Sequence, residues 1–487
     1  MIEPGMHSLI PVAVTLLVAL TARNVLAGLF AGVFTGAAIL SSASPLHFIP
    51  ELVSGWLVPE VADAYNASIL VLLAFIGGFV RLIEKSGGGE AFARSAIRWV
   101  KGPIRAQLAA WCGGIMIFFS DLGTPLIVGP VFQSLMDKLR ISRQKLAFIL
   151  DTTSSPVCIL IPFIGWGVFI MSVIADAFRS NNIATGEWDA FVSAIPFQFY
   201  AWLAISMVPM LAILRFDYGA MREVEKESRR APPATAAAVP TASLAKPVLV
   251  WLPLLVLCAT LFGTLATHGF PFSQVAGSDF RAGLSAAYFV AAITLVLLTW
   301  LARVQTLPQS MSQYIDGVTG MMPIAATLVL AWALGAVSES LGTGAYVAEL
   351  ARGELPGWLL PAVAFVLAAI ISFATGSSWG TIIIMMPLAI PAAMATGAPM
   401  PVVIGAILSG GLFGDHSSPV SETTILSATG AGTTTLEHFR TQLPYALTNG
   451  AIAFAGFLLA GHLAAVWIAL PLLLTQAMVL VALRRLQ

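Results

Sequence analysis

The residues most able to do chemistry lie in one run, Gly414-Asp415-His416-Ser417-Ser418-Pro419-Val420-Ser421-Glu422-Thr423-Thr424. Two carboxylates, an imidazole and five hydroxyls sit here between apolar stretches, at bilayer depth. An aspartate at the centre of a membrane helix costs roughly 2.5–3.5 kcal/mol. Pro419 has no N–H to give, and its ring opposes the carbonyl four residues back, so a helix through it breaks. The backbone groups freed by such a break are tolerated only against protein or a wet cavity. Carboxylate, hydroxyl and carbonyl oxygens together suit a small hard cation stripped of water. The chemistry expected is therefore cation binding in a discontinuous helix, with His416 either a hydrogen-bonded histidine of the helix break or a group that carries a proton or responds to pH.

Three further segments carry the same kind of groups. Phe119-Ser120-Asp121-Leu122-Gly123-Thr124-Pro125 offers a carboxylate at a Gly/Pro turn, either as a direct ligand or as a helix cap. Asp151-Thr152-Thr153-Ser154-Ser155-Pro156-Val157 echoes the 415–420 run, with Ser-Ser-Pro-Val identical. Thr375-Gly376-Ser377-Ser378-Trp379-Gly380-Thr381 lacks an acid and would give hydroxyls, carbonyls and helix-end dipoles. The candidate ion- and substrate-binding set is Asp121, Thr124, Asp151, Thr152, Ser154, Ser155, Ser377, Ser378, Trp379, Thr381, Asp415, His416, Ser417, Ser418, Ser421 and Glu422. Asp121, Asp151 and Asp415 are the sodium carboxylates of that set. Trp379 reads as a packing residue and Glu422 as a support for Asp415, seven positions on. No Lys or Arg lies within the four segments. Each carboxylate must then be neutralised by a bound cation or by a proton, and their competition is the simplest basis for antiport.

The elements that must position these groups follow from hydropathy. The chain has 487 residues, 58% of them hydrophobic and only 10% charged, against about 25% charged in soluble domains. This is an all-α polytopic membrane protein. A formal net charge of zero removes a nucleic-acid reading. Cys112, Cys158 and Cys258 have no metal or disulfide spacing. The N-terminus lacks the basic flank and cleavage site of a signal peptide. Apolar runs at 9–21, 25–40, 67–83, 146–175, 191–213, 247–267, 284–302, 318–337, 402–428, 445–459 and 464–483 predict spans, and 107–136 and 359–396 predict hairpins.

Lys and Arg sort the loops. Arg23, the 94–105 and 138–145 clusters, the 217–246 segment and Arg484-Arg485 are basic and are expected to face the cytoplasm. The stretches 41–66, 181–189 and 268–279 have no Lys or Arg and are expected outside, with Arg281 a single exception. Cytoplasmic charge on both sides of 107–136 makes it enter and return. Each half then reads alike, with an odd number of crossings, so the second copy is inverted. The expected plan has about 11 crossings plus two re-entrant hairpins. Residues 1–216 form a first repeat with its broken helix at 146–175, 217–246 a flexible cytoplasmic linker, 247–461 a second repeat with its broken helix at 402–428, and 462–487 an extra helix. The N-terminus is then outside and the C-terminus cytoplasmic.

At these residues the chain resembles a known family. The 414–427 run looks like the signature of NhaC-type sodium/proton antiporters, and 143–151, 126–130, 378–381 and 441–445 are similar to further family segments. The resemblance implies a secondary transporter of the inner membrane with two inverted repeats, elevator motion and a homodimer. It carries family acids onto Asp121, Asp151 and Asp415, and the small polar pair before the tryptophan onto Ser377 and Ser378. The family's first hairpin usually reads Phe-Phe-Asp-Asp-Tyr-x-Asn, where this chain has Phe118-Phe119-Ser120-Asp121-Leu122-Gly123-Thr124. A hairpin tip with fewer charges would leave room for an organic solute.

The leading expectation is sodium/proton antiport by an elevator-type mechanism, with sodium as coupling ion and no other cofactor. The alternative is sodium- or proton-coupled transport of a small organic anion or amino acid. Partners are sodium, protons and the lipid bilayer. An intramembrane hydrolase is disfavoured, because no Gly-x-Asp or His-Glu-x-x-His pattern lies within an expected span.

Overall fold

A chain immersed in lipid must satisfy its backbone internally, and every regular element among the described residues is helical. The computed structural model describes residues 5–41, 45–97, 100, 102–230, 245–270 and 277–486. Within them seven helices are each long and apolar enough to cross a membrane, or eight with the bent pair Glu187–Phe197 and Phe199–Leu214. Four shorter apolar helices join them: Met6–Ala22, Val25–Leu40, Leu360–Thr375 and Met400–His416.

Local sequence explains the element boundaries. Asn24 caps the Val25–Leu40 helix by accepting from the Ala27 N–H. Pro196 falls at the 47° bend in the expected 191–213 span. Residues expected as an outer loop at 41–66 are largely helical, from Pro45–Glu51 through Val58–Ala62. The 318–337 run lies within a longer pair of helices, Leu307–Gly320 and Met322–Ser340. Arg281, the misplaced charge, ion-pairs with Glu187 at 2.7 Å and lies over the Tyr65 ring at 4.0 Å. Its charge is thus neutralised locally.

Both hairpins form. Pro103–Met116 and Gly123–Lys138 are the arms of the first, Leu360–Thr375 and Ser378–Thr396 those of the second. The first broken helix is interrupted twice rather than once, giving Arg143–Thr152, Ser155–Cys158 and Gly165–Ser180. Pro156 and Pro162 supply the interruptions. The second runs Met400–His416 and Glu422–Ala431, separated by residues 417–421. Glu422–Ala431 lies against both Gly123–Lys138 and Arg143–Thr152. Their approach is so close that a Cβ on Gly129 would come within 2.3 Å of the Gly430 carbonyl oxygen. Elements far apart in sequence are thereby locked into one group around the two breaks.

The 217–246 segment departs from a flexible linker. Residues 231–244 lie outside the described residues, as do Arg98, Lys101 and 271–276 of the basic and outer stretches. Ala220–Arg230, however, is a helix docked on the start of Arg143–Thr152. Its Glu225 is buried and accepts from the Ser142 N–H at 2.8 Å, with Arg229 3.9 Å away. Beside it Lys145 pairs with Asp217, which also accepts from the Tyr445 hydroxyl. Burial, then the nearby Asp217, pushes the Glu225 carboxyl above its ordinary 4.5, against the Ser142 hydrogen bond and Lys145. The docked form therefore holds its proton more tightly than the undocked form. Docking is strongest at low pH and weakens as pH rises from 4.5 through the raised value. Amide protection over Ala220–Arg230, corrected for intrinsic exchange, is expected to fall over that window and to be flat in Glu225→Gln.

Candidate functional site

Four segments bring their polar groups to the same region, but they build two separate clusters. The first surrounds a cavity of ≈ 560 Å³. Of the residues singled out in sequence, Asp121, Ser155, Ser377, Ser378, Trp379, Asp415 and Glu422 line it.

Asp415 ends the Met400–His416 helix and is 3% exposed. Its Oδ1 accepts from the Ser421 hydroxyl at 2.9 Å and its Oδ2 from the Thr423 hydroxyl at 3.1 Å. The carboxylate is thus held by hydroxyls on the far side of the break. These oxygens can also turn to a cation. Glu422 does not share that face: the seven-residue spacing assumes a continuous helix, and the chain is unwound at 417–421. Glu422 lines the same cavity as Asp415, and Thr423 is the residue that hydrogen-bonds to Asp415.

Asp121, at the first hairpin tip, does not cap a helix. The N-cap position is Leu122, which offers no side-chain bond, and the Gly123 N–H donates to the Ser120 hydroxyl at 2.9 Å. Asp121 Oδ2 accepts from the Trp166 indole at 2.9 Å and lies 3.5 Å from the Ser155 hydroxyl. The Ser154 hydroxyl donates to the Asp121 carbonyl. In the second half the Ser418 hydroxyl donates to the Phe373 carbonyl at 2.8 Å. Each Ser-Ser-Pro break is so tied to the hairpin of its own half. At the second tip Gly376 takes a left-handed φ of +67°, and a Cβ there would meet the Val420 carbonyl oxygen at 2.8 Å. Ser377 caps the following arm by accepting from the Gly380 N–H at 3.2 Å. Trp379 both packs and lines the cavity, with its ring 4.8 Å from Trp166 and 4.2 Å from Phe169.

The second cluster is sealed. Asp151 is fully buried and does not reach the cavity. Its Oδ2 accepts from Gln442 Nε2 at 2.6 Å and lies 3.2 Å from His438 Nε2 and 3.6 Å from His416 Nε2. His416 Nδ1 lies 3.0 Å from the Tyr200 hydroxyl, and Gln442 also donates to the His416 carbonyl at 2.8 Å. The sequence showed no Lys or Arg to balance Asp151, and two imidazoles stand in that position instead. Asp151 Oδ1, Gln442 Oε1 and Ser417 Oγ are buried without hydrogen-bond partners among the described residues.

Three of the hydroxyls singled out in sequence turn to nearby backbone carbonyls. Thr152 donates to the Phe148 carbonyl, Thr381 to Ser377 at 2.9 Å, and Thr124 to Ile117 and Ser120 at 3.2 and 3.0 Å. Such bonds are the ordinary fate of a helical threonine, and none of the three lines the cavity.

Sequence reasoning missed the opposite wall, made by Ala64–Lys85 and Leu307–Gly320 and carrying Arg81, Glu84 and Asp316. Arg81 and Glu84, charges three apart in an apolar span, were a usable signal. His438 and Gln442, four apart on one helix face, were another. Trp166 and Tyr200 gave none.

Comparison with known proteins places this geometry. The chain is 32% identical over 471 residues to an uncharacterized protein of Haemophilus influenzae, covering 93% of this chain and 90% of that one. Over 101 residues it is 37% identical to the malate-2H(+)/Na(+)-lactate antiporter of Bacillus subtilis, covering 20% of this chain and 22% of that one. Over 111 residues it is 36% identical to the arginine/ornithine antiporter ArcD of Halobacterium salinarum, covering 22% and 23%. In fold it is similar to the YdaH transporter of Alcanivorax borkumensis, with TM-score 0.64 and 16% identity over 93% of this chain and 98% of that one. It is also similar to MtrF of Neisseria gonorrhoeae, with TM-score 0.58 and 13% identity over 92% and 94%. The sequence model of the Na+/H+ antiporter family matches residues 157–462, a stretch holding both the second hairpin and the Asp415 break, and the chain belongs to that family.

Proposed function

We propose that this secondary transporter exchanges sodium for protons across the inner membrane, and that Asp415 is the carboxylate for which the two compete. The observation that carries the reading is the placement of Asp415: almost wholly buried, held by the hydroxyls of Ser421 and Thr423, and on the wall of a cavity. No basic side chain pairs with it among the described residues. A carboxylate in that setting takes a cation or a proton. Sodium arriving from the cavity meets Asp415, Ser421 and Thr423 oxygens, and the proton it displaces leaves by the same cavity.

Asp121 adds negative charge at the opposite tip, oriented by Trp166. Asp151 belongs to the exchange through its contact with His416, the neighbour of Asp415 in sequence. The cavity lies between the hairpin-and-break group and the helices Ala64–Lys85 and Leu307–Gly320. That placement supports an elevator motion of the first against the second, with the two halves as inverted repeats. The Lys and Arg distribution supports an outer N-terminus and a cytoplasmic C-terminus. The homodimer follows from the family resemblance.

The test is a proteoliposome experiment. An imposed sodium gradient is expected to move protons the opposite way, read by an internal pH dye, and a potassium gradient is not. Sodium gradients that move no protons would defeat the reading.

A further inference from the structure

The geometry points to a binding site for the headgroup of an acidic phospholipid beside the docked helix Ala220–Arg230, sharing no residue with the cavity at Asp415. A cavity of ≈ 430 Å³ lies there, inside the range of about 300–1,000 Å³ that holds small organic groups. Six cations line it: Arg215, Arg222, Lys226, Arg229, Arg230 and Arg484. Three elements bring them together. Arg215 closes the helix Phe199–Leu214, Arg484 lies in the last turn of Ala469–Arg485, and the other four are on Ala220–Arg230. On that helix positions 222, 226 and 229–230 recur at three- and four-residue spacing, so one side is charged.

The acids of the site do not balance it. Two line it, Asp217 and Glu225. Asp217 is taken by Lys145 and the Tyr445 hydroxyl, and Glu225 by the Ser142 N–H, with Arg229 3.9 Å away. The other five cations have no ion pair among the described residues. Residues 231–244, which follow the last arginine of the helix, include no Asp or Glu. Like charges gathered from three elements repel, and a cleft lined by one sign concentrates counter-ions. Guanidinium forks match phosphate oxygens in pairs, so phosphate is the anion the site selects.

The surroundings choose between a lipid phosphate and a dissolved one. Phe199–Leu214 and Ala469–Arg485 pack against each other, and both end at the cavity. Ala469–Arg485 turns Leu470, Leu474 and Met478 outward at four-residue spacing, each 64% exposed. Ile213, two residues before Arg215, is 65% exposed. Such an apolar strip faces acyl chains, so the cationic cavity at its end sits at headgroup level, where lipid phosphate is concentrated. In the orientation proposed above this is the cytoplasmic end. A phosphate there holds Ala220–Arg230 to two membrane helices from its charged side. Glu225 holds the same helix to Arg143–Thr152, the helix of Asp151, from its buried side.

The experiment titrates the purified, delipidated full chain in neutral detergent and follows its melting temperature. The probes are phosphatidylglycerol, phosphatidylcholine, inorganic phosphate and ATP. Phosphatidylglycerol is expected to raise the melting temperature in a saturable way, and the other three, at the same concentrations, are not. Arg222→Gln combined with Lys226→Gln should weaken phosphatidylglycerol binding about tenfold or more, and Arg484→Gln about fivefold. Arg105→Gln combined with Lys138→Gln removes two exposed cations outside the cavity and should leave binding unchanged. A second readout uses the unaltered chain. Amide exchange over Ala220–Arg230, at one pH, is expected to be slower in nanodiscs containing phosphatidylglycerol than in pure phosphatidylcholine. Equal loss in the two double variants, stabilisation by phosphate or ATP as large as that by the lipid, or exchange indifferent to the lipid overturns the proposal. Neither readout involves transport, so the outcome is independent of which ions are exchanged.

Discussion

Asp415→Asn is expected to reduce sodium-driven proton flux by about a hundredfold or more, while leaving the protein folded with an unchanged or raised melting temperature. The amide fills the same volume: its oxygen accepts from one of the Ser421 and Thr423 hydroxyls, and its NH2 donates to the oxygen of the other, which turns its own proton away. It has no charge to offer sodium and no proton to exchange. Removing a membrane-buried charge that has no permanent partner relieves a desolvation cost rather than creating one. Asp415→Glu keeps the charge but moves it one methylene into the cavity, and should retain part of the flux with weakened sodium affinity. Flux assays on protein of verified melting temperature check both.

The second large effect has the opposite stability signature. Asp151 sits in a fully buried cluster, bonded to Gln442 and His438 and 3.6 Å from His416. Breaking a buried hydrogen-bonded partnership of this kind costs about 1–3 kcal/mol, because a buried polar group is left without its partner. Asp151→Asn should therefore abolish transport and lower the melting temperature together. The cluster joins Arg143–Thr152, Met400–His416 and Thr435–Leu463, so the damage spans both halves. Equal melting temperatures for the Asp151 and Asp415 variants would show that the two carboxylates do not differ in this way.

Much of the fold could be read from the chain because prolines and glycines punctuate it. Pro419 marks the second break, and Gly376 gives the second hairpin its left-handed turn. Asp415 and Asp121 stood out because charge at bilayer depth is costly. Other features were hidden for physical reasons. Periodicity assumes a continuous helix, so it favoured Glu422 over Thr423 across a segment that is unwound. Counting hydroxyls favoured Thr124, Thr152 and Thr381, whose oxygens bond to backbone carbonyls. The partners of Asp151 lie 287 and 291 residues away in sequence, beyond any local pattern. The docked helix Ala220–Arg230 was masked by its charge, since its anchor Glu225 is a buried acid on an otherwise polar helix.

Competition at a single carboxylate has one direct readout. Purified protein in weakly buffered detergent solution is mixed with sodium chloride, and proton release is followed with a pH indicator against a potassium chloride control. The account predicts a saturable release with sodium, about one proton per site, that disappears in Asp415→Asn. Sodium binding without proton release, or release undiminished in Asp415→Asn, would contradict it.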